Sequence, residues 1–453
     1  MSKEKQTDEE VDQELSPFFN PKTILICGAS GNKGKFGYQI VKNLDVLGYN
    51  GKMYLVNPNE DEILGKKTLK KITDLPEVPD LAIIVLPPQK VMRSTEVCLK
   101  FGIKHLMIES SFLTDNMEKK LQKWAEVNNA RIVGSNTIGI INFNNDFTTS
   151  IIPVRCIFKG GNIAYIAQSG GLAGGCGWWN PENGLGFSKI VHLGEACDVN
   201  ESEILEYLGN DEKTDVILLF LREIEASLCK KIKEISKIKP ILFLKPNKSS
   251  EINVLEKCGA IPVEDYQDLF EIGKAFIQNS TLKGNRIGLV GPSSGALSLI
   301  ISKLNDYGFE LGELEDESKN ILREKVLHKC NRLFNPVDYW PPTKFDGSEV
   351  GEKYRIAIES LLGDSNIDAV IIVLEIFKEI EFDIEEQFKH LKKKYPDKPI
   401  ISVIIQTEKP SLTRITNGLK RLQITTYIQN VERSLKALHA LRKYELLREK
   451  NNN

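Results

Sequence analysis

A chain of 453 residues is longer than one ordinary domain, so roughly two to four domains are expected. Hydrophobic residues make up 41% and charged residues 27%, the balance of a globular protein that can bury real cores. The net charge is −2, with Lys and Glu intermixed, which gives no basis for a nucleic-acid partner or an acidic membrane surface.

The eight cysteines are scattered through apolar runs with no CxxC pair, as expected of reduced thiols in a cytoplasmic protein. The five histidines (105, 192, 328, 390, 439) lie far from one another and from cysteine, so no metal site is expected. No signal peptide is expected, and no apolar stretch of membrane-spanning length is read. The opening MSKEKQTDEEVDQEL is charged, and residues 1–20 and 448–453 are expected to be flexible tails.

KTILICGAS (22–30) reads as a buried strand running into a glycine-rich loop, followed by the helix YQIVKNLDVLG (38–48). That layout places a phosphate on a helix N-terminus. The loop is longer than the dinucleotide G-x-G-x-x-G pattern and carries Lys33 and Lys35. The next strand ends in Asn57-Pro58, where a nicotinamide site usually has an acid for a ribose hydroxyl. Neutral Asn57 with lysines nearby suits a phosphorylated ribose instead, and speaks against an NAD(P)-dependent oxidoreductase. DLAIIVLPPQKV, KHLMIESSF and ARIVGSNTIGIIN continue the rhythm. Together they predict one doubly wound parallel sheet over 21–150, with ligand loops at 28–37, 57–58, 86–89 and 109–112. Taken alone, Pro87-Pro88 and Ser110-Ser111 are ordinary turn residues.

A second and smaller parallel sheet is predicted over 151–283. It contains AYIAQSGGLAGG (164–175), read as strand, tight turn and helix start. Gln168, Ser169, Gly170 and Gly171 are read as an anion seat of the helix N-terminal kind, with an ordinary strand–helix junction as the alternative. Asp198–Glu203 read as a helix N-terminal turn, and Trp178-Trp179 as packing or a partner surface. His192 ends a strand next to a glycine and is read as structural, with a catalytic role as the alternative. A third unit, 284–447, opens on NRIGLVGPSSGALSL, whose Ser293, Ser294 and Gly295 are a candidate second anion seat.

The order of these runs resembles the α part of NDP-forming acyl-CoA synthetases, relatives of succinyl-CoA synthetase. The resemblance covers about residues 20–445. It rests on GASGNKGKFGYQIVKNL, GKMYLVNPNEDEILG, DLAIIVLPP, GSNTIGIIN, GNIAYIAQSGGLAG, GFSKIVHLGEACDVNESEILEYLGND and FNPVD, in that order. It implies an α/β fold of three consecutive parallel-sheet units: a Rossmann-like CoA-binding domain and two flavodoxin-like ligase domains. Coenzyme A phosphates would then meet Gly28, Ser30, Lys33, Lys35, Phe36 and Gly37. Asn57 and Pro58 would flank the adenosine, and Pro87, Pro88, Ser110 and Phe112 would line the pantetheine path. The QSG turn would be one of two helix N-termini facing a shuttled phosphate. GPSSG matches the other, which succinyl-CoA synthetase carries on its β subunit.

In that family a histidine in a small-residue loop takes the phosphoryl group from an acyl phosphate and carries it to ADP on an ATP-grasp domain. Here KPILFLKPNKSSEINVLEKCGAIPVED leaves no room for that loop, and no histidine lies between His192 and His328. Arg222 stands where the acid that would hold the histidine is expected. The resemblance therefore implies an acyl-CoA or acyl-phosphate protein whose phosphohistidine relay is lost. ATP, ADP and Mg would come only through a separate ATP-grasp β partner, and an oligomer is expected. A non-catalytic acyl-CoA sensor or scaffold, and a phosphate-dependent acyl or carbamoyl transferase, are the alternatives.

Overall fold

The computed structural model describes residues 8–155, 160–183, 185–246, 250–326, 334–340, 344 and 346–452. They fall into two compact units, Met1–Phe270 and Glu271–Asn453.

The first unit holds two sheets. Short β-branched runs form β1 (Thr23–Cys27), β2 (Lys52–Val56), β3 (Glu62–Ile63), β4 (Lys66–Leu69), β5 (Leu81–Ile84), β6 (His105–Ile108) and β7 (Arg131–Gly134). Their order is β3-β4-β2-β1-β5-β6-β7, parallel throughout except the β3–β4 pair. The continuous apolar character of β1 reflects burial on both faces. Ile24 and Ile26 enter one core, and Leu25 and Cys27 the other, as the two-residue strand period requires. Helices α1 (Asp8–Phe19), α2 (Phe36–Leu47), α3 (Pro88–Phe101) and α4 (Asp115–Asn128) complete this layer. The chain leaves β1 for β2 on one side and later returns to β5 on the other. The carboxyl ends of β1 and β5 thus form a topological switch point, where open α/β sheets bind ligands.

The second sheet comprises β8 (Gly139–Asn142), β9 (Phe147–Thr148), β10 (Ile163–Ala167), β11 (Phe187–His192), β12 (Val216–Phe220), β13 (Ile241–Leu244) and β14 (Ile261–Pro262), in the order β14-β13-β12-β10-β11-β8-β9. Its helices include α5 (Gly170–Asn183), α6 (Glu201–Asn210), α7 (Ala226–Ile235) and α8 (Ser250–Lys257). This sheet is as wide as the first rather than smaller. The difference comes from β8 and β9, read from sequence as part of the first sheet. β8 instead runs antiparallel to β11, pairing Gly139 with His192. An apolar run such as GIIN does not say which sheet it joins.

The second unit carries β15 (Arg286–Gly291), β16 (Glu310–Leu311), β17 (Val337–Asp338), β18 (Ala369–Leu374), β19 (Ile400–Ile404) and β20 (Thr425–Ile428). Their order is β16-β15-β18-β19-β20, with β17 beside β15. The FNPVD run thus contributes a strand, β17. The Asn335 side chain supports it, accepting from Leu289 N at 2.9 Å and donating to Ile287 O and Gly312 O at 2.8 and 2.9 Å.

The flexible-tail reading of residues 1–20 fails for residues 8–19, which form α1; residues 1–7 lie outside the described residues. Leu15, Phe18 and Phe19 are fully buried, and at i, i+3 and i+4 they share one helix face. Phe19 stacks on Tyr207 at 4.2 Å, and Phe18 meets His105 edge-on at 5.4 Å. Each such burial stabilises by about 1.5–3 kcal/mol, which outweighs the charge of the segment.

Arg131 on β7 joins α1 to α6. It pairs with Glu14 at 3.0 Å, Asp198 at 3.0 Å and Glu203 at 2.7 Å. Asp198 also accepts from Ile132 N, and Glu203 closes a capping box with Asn200. Burial opposes the charge of Arg131, but Glu203 and Asp198 more than offset it and hold its pKa above the ordinary value. Removing the guanidinium would strand three partly buried carboxylates, Glu14, Asp198 and Glu203. Arg131→Met is expected to cost about 2–4 kcal/mol in denaturant unfolding. A loss under about 0.5 kcal/mol would show that the cluster is only a surface pairing.

Candidate functional site

A cavity of about 1050 Å³ opens over the carboxyl ends of β2, β1, β5 and β6. Its wall includes Gly28, Ser30, Lys35, Phe36, Gly37, Asn57, Pro58, Pro87, Pro88, Ser110 and Phe112. Of the residues assigned to this site from sequence, Lys33 alone lies off the wall. The cavity stands at the switch point of the first sheet.

Close backbone contact creates the floor. A Cβ on Gly37 would stand 2.0 Å from the Gly28 carbonyl oxygen, and one on Gly28 would stand 2.3 Å from the Val85 carbonyl oxygen. Gly28 also has φ +100°, a conformation that only glycine adopts readily. Three chain segments therefore meet without side chains between them, and α2 starts directly over the cavity.

Polar residues of the loop are occupied in holding its shape. Ser30 Oγ donates to Glu60 Oε1 at 3.2 Å and accepts from Asn32 N, while Gly31 N donates to Glu60 Oε2 at 2.8 Å. Asn57 Nδ2 donates to Ala29 O at 2.9 Å and Glu60 Oε1 at 2.8 Å, and its Oδ1 accepts from Asn59 N. Glu60 is thus the acid after β2, spent on the glycine loop. Sequence reasoning passed over it because it lies three residues beyond Asn57. Ser110 Oγ donates to Leu86 O at 2.7 Å and accepts from Leu86 N, tying β5 to β6. The amides of Gly34 and Lys35 are also bonded within the loop. Those of Phe36 and Gly37, in the first turn of α2, point their dipole end at the cavity.

Charge on the wall is one-sided. Lys35, Lys70, Lys71, Lys90 and Arg93 line it, and the one carboxyl group is Glu109. Lys70 is paired with Asp61 at 2.6 Å. Sequence reasoning singled out only Lys35 of these cations; the others come from strand ends and α3, and no local motif marks them. Phe36 and Phe112 are 59% and 92% exposed, and Phe112 holds φ +63°. Two apolar rings therefore stand at a basic mouth.

Glu109, immediately after β6, is 3% exposed, and neither carboxylate oxygen has a hydrogen-bond partner of good geometry. Burial holds its carboxyl well above the usual range, with the Thr149 hydroxyl working the other way.

The turn after β10 sits at the switch point of the second sheet. Gln168 is a brace: its Oε1 accepts from Arg222 N at 2.7 Å and Glu223 N at 2.9 Å, and its Nε2 donates to Glu201 at 3.0 Å. Ser169 and Gly170 are half-buried, and Gly171 is exposed with nothing within 4 Å of a built Cβ. His192 packs on this turn, because a Cβ on Gly170 would lie 3.3 Å from its Cε1 and 3.6 Å from its Nε2. Its Nδ1 accepts from Ile138 N at 3.1 Å, so the neutral ring carries its proton on Nε2. Burial, then Arg222, push its pKa down to about 4, against Glu195. Trp179 packs on Tyr266 and Phe270, while Trp178 is 38% exposed.

In the second unit, Ser293 caps the helix Ser294–Leu304 by accepting from Ala296 N at 3.4 Å, with Ser294 and Gly295 exposed in its first turn. Among the described residues no group of three or more metal-ligating side chains occurs, and no helix is long and apolar enough to cross a membrane.

His192 gives a pH prediction. Its pKa is lower in the fold than its unfolded value near 6.5, so the unfolded chain binds the extra proton between about pH 6.5 and 4. The contribution is present above pH 6.5 and is lost as pH falls through that window. Denaturant unfolding should lose on the order of 2–3 kcal/mol there, and His192→Asn should flatten the profile. An unchanged profile in the variant would contradict the assignment.

Comparison with known proteins adds to this geometry. The CoA binding domain model matches residues 22–142, and the succinyl-CoA ligase like flavodoxin domain model matches 160–254. The chain is 31% identical over 407 residues to ADP-forming acetate–CoA ligase II of Archaeoglobus fulgidus, covering 84% of this chain and 60% of that protein. It is 29% identical over 386 residues to the alpha subunit of ADP-forming acetate–CoA ligase II of Pyrococcus furiosus, covering 79% and 82%. A solved structure from Pyrococcus horikoshii superposes with TM-score 0.84 at 28% identity, covering 96% and 99%. The chain thus carries a CoA binding domain and a succinyl-CoA ligase like flavodoxin domain, and over most of its length it is similar to ADP-forming acetate–CoA ligases.

Proposed function

We propose that this chain is the CoA-binding, α-type half of an acid–CoA ligase, working with a separate ATP-grasp partner. The cavity at the first switch point carries the reading. It joins a side-chain-free glycine floor, a helix N-terminus and five cationic side chains. That combination suits a ligand with several phosphates and a long, slender arm. Coenzyme A phosphates would lie over the 28–37 loop near Lys35. The adenosine would lie toward Asn57, Pro58 and Lys71, and the pantetheine arm would pass Pro87, Pro88 and Phe112 toward Ser110.

The reaction assigned to the site is acyl-CoA plus phosphate giving acyl phosphate and free thiol, followed by transfer of the phosphoryl group to ADP on the partner. The amides at the start of α5 would bind the phosphoryl oxygens, with His192 Nε2–H beside them. Support for a partner comes from a relative named as an alpha subunit. The relay is proposed as lost, because residues 245–249 are all that link β13 to α8 and none is histidine. Residues 247–249 lie outside the described residues. The same short link favours a second reading, binding of acyl-CoA without turnover. Hydroxylamine trapping of acyl phosphate from acetyl-CoA and phosphate separates the two, since only the ligase reading yields hydroxamate.

Calorimetric titration with CoA tests the binding claim. Saturable binding below millimolar concentration is expected. Lys71→Ala and Arg93→Ala should each weaken it about three- to tenfold. Gly37→Ala, whose Cβ would meet the Gly28 carbonyl oxygen, should abolish it. Absence of binding by the wild-type chain at millimolar CoA would refute the reading.

A further inference from the structure

Glu109 is the one carboxyl group on an otherwise basic wall. A buried acid whose O–H finds no acceptor costs the fold about 1–3 kcal/mol. Native structures keep few such groups, so each calls for an explanation. Its position supplies one. Glu109 lines the cavity from the end of β6, the side away from Asn57 and Pro58 on β2. Its Oε1 also lies only 2.6 Å from where a Cβ on Gly139 would stand. Gly139 pairs with His192, and the His192 ring packs on Gly170 at the start of α5. Glu109 therefore sits between the CoA cavity and the anion seat, both within the first unit. A bare Gly139 leaves room for its carboxyl there. Of the polar side chains beside it, Ser110 donates to Leu86 O, and Thr149 accepts from Ile140 N and has its hydroxyl hydrogen to give to the carboxyl, which leaves the acid O–H of Glu109 without an acceptor.

An ionised carboxylate would repel a polyphosphate ligand and would have to be desolvated without a cation. A neutral carboxylic acid has the opposite character, with one O–H to give. The groups of coenzyme A that can accept it at this end are the amide carbonyls of the pantetheine arm and, in an acyl-CoA, the thioester carbonyl. Resting on the CoA reading above, we propose that Glu109 is a ligand-binding residue: its carboxylic acid donates a hydrogen bond to a carbonyl oxygen near the thiol end of the pantetheine arm. The free fold gives up stability for that contact.

The test compares CoA with adenosine 3′,5′-bisphosphate, which keeps the nucleotide and lacks the arm. Glu109→Met keeps length and volume and removes the donor, while Glu109→Gln keeps a donor. Glu109→Met should bind CoA about tenfold more weakly or worse, bind the bisphosphate within twofold of wild type, and unfold at a higher temperature when free. Glu109→Gln should bind CoA within about threefold of wild type. If wild type binds neither probe, the CoA reading itself fails. If wild type binds CoA and Glu109→Met matches it, or loses both probes equally, the CoA reading stands and the Glu109 contact is overturned. Should Glu109→Met not fold, infrared difference spectra of the wild-type chain decide. The carboxylic acid C=O band lost in Glu109→Gln should shift on adding CoA and stay fixed with the bisphosphate; a band unmoved by CoA overturns the proposal.

Discussion

The ligand cavity of the first sheet depends on a contact between bare backbones. Gly37 lies against the Gly28 carbonyl, and Gly28 lies against the Val85 carbonyl. With no Cβ in between, the loop after β1 folds flat across the switch point, and α2 begins where a phosphate can reach its first amides. The loop is then fastened from outside by Glu60 and Asn57, so that its polar side chains are consumed in shaping it. What is left facing the cavity is backbone, cations and apolar rings.

The same design recurs at the other two switch points. Each has a strand, a turn of small residues and a helix whose N-terminus faces outward, at Gln168–Gly171 and at Pro292–Gly295. The second sheet adds a neutral His192 wedged against its turn, and the depressed pKa is the electrostatic sign of that packing. A histidine held neutral in this way, with Nδ1 already accepting a backbone hydrogen bond, is suited to donate from Nε2 and poorly suited to hold a charge. That hydrogen bond ties the ring to the backbone of Ile138, and the nearness of Gly170 sets the same ring beside the turn after β10.

The three-sheet α/β architecture was legible because the main strands are short apolar runs closed by polar, glycine or proline residues, with a helical period following. The glycine loop and both small-residue turns were legible for the same reason, being local in sequence. What escaped was non-local. The register that gives β8 to the second sheet depends on pairing with β11, about fifty residues on. The order of α1 comes from the docking of Leu15, Phe18 and Phe19 on elements far along the chain, against the charge of their own segment. Lys71, Lys90, Arg93 and Glu109 converge on the cavity from different elements and have no shared motif. Ser30, Asn57, Ser110 and Gln168 were singled out as residues that would touch a ligand; their side chains also brace the loops, and the first three stand on the cavity wall.

The central claim is that the switch-point cavity of the first sheet receives coenzyme A. Amide hydrogen exchange read by mass spectrometry, with and without saturating CoA, tests it at the level of the backbone. The account predicts slowed exchange in peptides covering 28–37, 57–58 and 110–112, with little change in the strands beneath. Protection confined to other segments, or none at a CoA concentration that saturates binding, would contradict it.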